Sequence, residues 1–183
     1  MTTAARTATS TWTIDKAHSA VEFAVKHLMI STVKGQFREF EGTLRLDEEA
    51  PERSSVDASI GVASIDTNVA DRDAHLRSDD FFNAERYPTI TFRSTRVERL
   101  DDSRFRLYGD LTIRDVTREV VLDGEYAGRI NDPWGGERAA FDAETTISRK
   151  EFNVRWNQVI EAGGVAVGNS VRITLHIEAI CEK

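Results

Sequence analysis

The 183 residues carry 24 Lys and Arg against 31 Asp and Glu, and the formal net charge of −7 with no dense basic tract makes this a poor candidate for nucleic-acid or anionic-membrane binding. A hydrophobic fraction of 40% argues against disorder, and the length suits one domain with a substantial core. Cys181 is the only cysteine, which rules out an intramolecular disulfide and a thiolate metal cluster.

Residues 1–10 are polar and rich in Ser and Thr. They lack the apolar stretch of a secretory signal, and no run in the chain reaches the ~20 apolar residues of a membrane-spanning helix. They are expected to form a disordered tail on a cytoplasmic protein, ahead of a single domain over 11–183. A short opening strand is expected at 11–15. Next, Val21, Phe23, Val25 and Met29 share one register while Glu22 and Lys26 share the other. Strand side chains point alternately to opposite faces, so this is the pattern of a strand with one buried and one wet face. The same reading gives main strands at 20–30, 35–46, 55–63, 89–98, 104–113, 118–128, 139–147 and 170–181. Pro51, Pro88 and Pro133 fall between runs or at an edge, where a missing N–H costs least.

Two segments break the pattern. Asp66, Thr67 and Asn68 resemble an N-cap for a short helix over 69–77, with Val69, Arg72, Asp73 and Leu76 on one face. Ser148 and Glu151 have capping-box spacing and predict a single turn before Phe152. The chain is therefore all-β: an antiparallel sheet that closes into a barrel or doubles into a sandwich, with a short helix inserted between strands four and five. An eight-stranded barrel is either just filled by side chains or holds one small ligand. The inward register mixes Phe23, Phe92, Phe105, Leu107, Leu111 and Phe141 with small residues, among them Gly42, Ala58, Gly109, Gly124, Ala139, Ala143 and Ala179. Those small residues fit a flattened solid core and an apolar tunnel equally well.

Polar residues give weaker signals. His18, His27, Asp73 and His75 are the one set worth testing as metal ligands, but no close-spaced histidine pair supports it. No nucleophile–base arrangement is recognisable. Arg149 and Lys150 at the start of a turn form a possible anion site, with surface solvation the simpler expectation. Trp12, Trp134 and Trp156 read as packing anchors, with Trp156 also placed to line a tunnel mouth.

An ordered series of motifs carries a resemblance to a known family. It runs from Trp12–Asp15 through His18, Ser19, Phe23 and His27, then Gly35, Phe37, Gly42 and Leu44, then Ser64, Asp66 and Thr67. Arg72, Asp73, His75 and Leu76 follow, then Phe81, Phe82, Tyr87, Pro88 and Phe92, then Gly109, Leu111 and Ile113, and finally Ser148, Arg149 and Phe152. Over residues 11–181 the chain resembles the YceI-like family of lipocalin-like, polyisoprenoid-binding proteins. The resemblance implies an extended eight-stranded antiparallel β-barrel around a hydrophobic tunnel that holds a polyisoprenoid, an isoprenoid quinone or a similar long amphiphile. The implied role is sequestration or transport without catalysis, cofactor or metal. Homodimerisation is suggested; stable membrane insertion is not. Candidate ligand contacts on the walls are Phe23, Val25, Phe92, Leu107, Leu111 and Phe141. Toward the ends they are His27, Met29, Arg72, Asp73, His75, Leu76 and Trp156. The competing readings are a hydrolase or isomerase using His27, Asp73 or His75, and a closed barrel serving as an interaction domain.

Overall fold

In the computed structural model, which describes residues 9–183, the alternating runs form eleven strands among the described residues. The first six are β1 (Thr9–Ile14), β2 (Ala20–His27), β3 (Ser31–Phe37), β4 (Phe40–Asp47), β5 (Ser55–Gly61) and β6 (Ile65–Asp66). The helix α1 (Ala70–Arg77) follows. Then come β7 (Thr89–Arg99), β8 (Arg104–Ile113), β9 (Val116–Asn131), β10 (Glu137–Ser148) and β11 (Val167–Cys181). Of the expected disordered tail, residues 1–8 lie outside the described residues, and Thr9 and Ser10 already belong to β1.

Every strand pairing is antiparallel, and the neighbours run β1-β4-β5-β7-β8-β9-β10-β11 and back to β1. This is a closed eight-stranded barrel with no free edge around the ring, which settles barrel against sandwich. It is extended because β11 serves two partners. Its last residues pair with β1, Trp12 opposite Cys181, while Val167–His176 pair with β2. Through β2, β3 and β6 the wall then continues beyond the ring. At about 3.3 Å per residue, the 15 residues of β11 and the 16 of β9 each span roughly 50 Å of wall.

The eight-strand count is right, but its membership differs from the expectation. The run 20–30 stops at His27, where the Ile30 N–H donates to the His27 carbonyl across a turn. Leu28 and Met29 there both take positive φ, 51° and 65°. A tight hairpin turn of this hand normally uses Asn-Gly, so the apolar pair concealed it. The run 35–46 is two strands. Phe37 and Phe40 are both buried, a spacing of three that no continuous strand presents to one face, and the chain turns a corner at Arg38–Glu39.

The helix forms where expected, but its cap is inverted. Val69 is the N-cap and offers no side-chain bond. Instead the Asp73 carboxylate, buried within the helix, accepts from the Thr67 N–H (2.9 Å) and hydroxyl (2.5 Å). The capping box at Ser148 does not form either. Ser148 makes no bond back to its turn, and its hydroxyl accepts from Asn169 at 2.8 Å.

Buried apolar residues gather in two groups. The larger sits at the α1 end of the barrel and includes Phe37, Phe40, Val62, Phe81, Phe152 and Val154. The smaller surrounds Trp12 at the other end, with Leu44, Ala139 and Ala179 fully enclosed and Cys181 packed half-buried against them. Trp12 lies on β1, the strand that closes the ring between β4 and β11. Its indole N–H donates to Ser10 (2.7 Å), and the Arg129 guanidinium lies 5.0 Å from its ring centroid. Trp134 is the exception among the expected anchors: it is 83% exposed, in the β9–β10 turn.

Truncating Trp12 to Ala removes a fully buried indole from the closing strand and leaves a cavity between two walls. An equilibrium urea melt should show a loss of about 3–5 kcal/mol, far above the effect of the same change at exposed Trp134.

Candidate functional site

The barrel surrounds a cavity of about 670 Å³, lined by residues of both groups and within the range of small-ligand sites. Its walls are the inward register of the ring and of β2, almost wholly apolar. The interior is therefore not filled, and the reason lies in pairs of aromatic and glycine residues on adjacent strands. Phe23 pairs with Gly35 across β2 and β3, and Phe105 pairs with Gly124 across β8 and β9. Phe92 lies diagonally across from Gly109 on β8. In each case a β-carbon on the glycine would sit 2.3–2.4 Å from the ring. The glycines thus let three phenyl rings lie flat along the wall instead of projecting into the lumen. Ala58, Ala139 and Ala143 widen it further.

The two ends differ in chemistry. At the end away from α1, the β4–β5 and β7–β8 turns bring polar side chains to the rim. Each arginine there is paired: Arg99 with Asp102 (2.8 Å), Arg104 with Asp101 (2.6 Å), and Arg129 with Glu48 and Glu137. The backbone N–H of Arg104, and then its guanidinium, hold the Asp101 carboxyl down to about 2. This mouth is charged but internally neutralised. At the α1 end, Leu76, Phe81 and Phe82 close the cavity, and Arg149 lies on its wall.

Of the residues expected to contact a ligand, Phe23, Val25, Leu76, Phe92, Leu107, Leu111 and Phe141 line the cavity. Six do not. His27 is exposed at the end of β2, and Met29, 60% exposed, has left the strand register in the positive-φ turn. The Arg72 guanidinium donates to the Thr67 hydroxyl (2.7 Å) and carbonyl (2.8 Å), joining Asp73 in a network that pins α1 to β6. His75 pairs with Asp80 at 2.7 Å and stands edge-on to Trp156 and Phe81, centroids 4.8 and 5.0 Å away. His75 and Trp156 lie outside the cavity, and only Phe81 of this cluster reaches its wall.

His18, His27, Asp73 and His75 do not converge as a metal site. Among the described residues one other group has suitable atoms, Asp15, His18 and Glu178. Arg138 already occupies it, donating to Asp15 (2.7 Å) and Glu178 (2.6 Å) and also to Asp132 (2.9 Å). His18, and after it Arg138, hold the Asp15 carboxyl below its usual range, and Asp132 is lowered by the Gly136 N–H and then Arg138.

Sequence reasoning named Arg149 with Lys150 as a possible anion site but expected it to be solvated. It is 5% exposed rather than solvated, because the chain from Val154 to Gly168 folds around it. Its guanidinium donates to four backbone carbonyls, of Gly168 (2.7 Å), Val154 (2.8 Å), Trp156 (2.9 Å) and Val167 (3.2 Å). No local pattern announces this, since the acceptors are backbone atoms whose placement depends on the whole loop.

Residues 12–179 match the YceI-like domain family. The chain is 44% identical over 144 residues to Protein YceI of Escherichia coli O157:H7, covering 78% of this chain and 75% of that protein. The crystal structure of the Campylobacter jejuni YceI protein superimposes with a TM-score of 0.74 at 33% identity, over 86% of this chain and 90% of that one. A polyisoprenoid binding domain from Saccharophagus degradans shares the fold, with a TM-score of 0.67 at 11% identity over 93% and 98% of the two chains. The chain belongs to the YceI-like family.

Two outcomes follow from this geometry. Gly124→Ala should displace the Phe105 ring into the lumen, so binding of an apolar fluorophore falls several-fold while circular dichroism stays that of the barrel. Asp15, with its lowered carboxyl, contributes stability that is present above the unfolded value near 4 and is lost as pH falls below it. Urea midpoints should therefore drop from pH 6 to pH 3, and Arg138→Gln should make that drop smaller.

Proposed function

We propose that this YceI-like barrel binds one long-chain amphiphile, a polyisoprenoid, an isoprenoid quinone or a similar lipid, and sequesters or carries it without chemical change. The observation that supports this most is the unfilled apolar cavity itself. An empty space of this size forfeits packing that ordinary cores retain, and its lining gains from hydrocarbon rather than from water. Burying a chain is worth about 0.8 kcal/mol per methylene, of which ordering the chain and confining it remove a large part. The description of the Saccharophagus degradans relative as a polyisoprenoid binding domain agrees with this reading.

A non-catalytic role fits the arrangement of polar groups. His27, Asp73 and His75, the acid–base candidates, all lie off the cavity wall. The proposal extends to a cytoplasmic carrier, and to a homodimer as the assembled form.

Ala143 sits on the wall, opposite Leu175 in the β10–β11 pairing. Ala143→Phe should narrow the lumen at that point. In a displacement titration with N-phenylnaphthylamine against polyprenyl, quinone and fatty-acyl lipids, the variant should lose affinity at least about ten-fold while remaining folded. Unchanged loading in a folded variant would place the ligand outside this cavity.

A further inference from the structure

Arg149 is the one arginine on the cavity wall that lacks a carboxylate partner among the described residues; Arg99, Arg104 and Arg129 at the other end each have one. A guanidinium carries five N–H donors and keeps its charge in proteins. Four carbonyls take four of those donors, two from Nη1, one from Nε and one from Nη2. The second Nη2 hydrogen has no acceptor among the described residues. Carbonyl dipoles solvate the cation but do not cancel it, so a full positive charge stays at the closed end of an apolar chamber. Burial alone acts on its ionisation, with no acid to oppose it. An uncompensated buried charge is costly, and the cavity that Arg149 lines offers a side from which a counter-charge can arrive.

Resting on the carrier reading above, we propose that Arg149 is the head-group anchor for a singly charged, carboxylate-headed amphiphile, which enters head-first so that its chain runs back toward the mouth near Trp12. A single negative charge matches a single cation. A phosphate carries nearly two charges at neutral pH and leaves one of them unbalanced against the apolar wall. The spare Nη2 hydrogen supplies a charge-assisted bond to one carboxylate oxygen. The rim arginines do not compete, because acids already engage them.

The test compares three ligands of equal chain length, hexadecanoate, hexadecanol and hexadecyl phosphate, on the delipidated full chain at pH 8 by fluorophore displacement. The expected order is hexadecanoate tightest, about ten-fold or more ahead of the alcohol, with the phosphate weaker than the acid. Arg149→Gln should bring the acid down to the alcohol's level, and Arg149→Lys should restore part of the gap. Equal binding of acid and alcohol would overturn the anchor and leave the carrier reading intact. Failure of all three to bind would overturn both. A phosphate as tight as the acid would overturn the single-charge preference. Because Arg149 also holds four carbonyls, orientation is read independently with Arg149 unaltered, using Trp156→Phe and brominated hexadecanoates. Head-first binding predicts that bromine at carbon 16 quenches the remaining tryptophan emission more than bromine at carbon 2. The reverse pattern would overturn the proposal even if the Arg149 variants failed to fold.

Discussion

Closure of the ring by β1 is the constraint on which everything else depends. β1 is six residues long and pairs on one side with β4 and on the other with the last residues of β11. Without it both flanking strands would have open edges and the wall would have a slot along its length. Trp12 holds it in place from inside, fully buried at the junction of three strands. Once the ring is closed every inward side chain faces a shared interior, and the volume of those side chains decides between a solid core and a chamber.

That decision falls to a few glycines. Eight strands give a barrel at the margin between filled and hollow, so three phenyl rings projecting inward would tip it toward filled. Laid along glycines on neighbouring strands they become wall instead of filling. The same residues explain how apolar content rich enough to drive folding coexists with an interior that side chains leave open. Buried side chains gather around Trp12 toward one end and around Phe152 toward the other, and members of both groups form the wall of the chamber.

Much of this was legible in the sequence. Period-two alternation located nearly every strand, and the helix lay where the pattern broke. The inward register named Phe92, Leu107, Leu111 and Phe141 correctly because parity alone fixes the face of a strand. Parity failed where the chain changed direction. It continued β2 through Leu28 and Met29, whose turn lacks the usual residues, and it fused β3 with β4 although the three-residue step from Phe37 to Phe40 was a readable warning. Polar residues were harder. Arg72, Asp73 and His75 are close in sequence on one short helix, yet their partners, Thr67 and Asp80, belong to the helix surroundings and not to the lumen. Arg149 was named as a possible anion site, but its burial was unreadable for the opposite reason: carbonyls that follow it by five to nineteen positions are gathered by a loop with no periodicity to reveal its course.

The two ends of the chamber give it a polarity that the apolar walls lack, with a neutralised rim at one end and an unopposed guanidinium at the other. Family membership fixes the architecture, while the contents of this particular barrel depend on that asymmetry and on the open lumen. The most direct measurement is native mass spectrometry of the purified chain, followed by organic extraction and lipid analysis of the same sample. One amphiphile per barrel, released on denaturation and taken up again by the delipidated protein, is the expected result. A chain that carries nothing and stays unliganded after incubation with polyprenyl, quinone and fatty-acyl lipids would contradict a carrier function and favour a closed interaction domain.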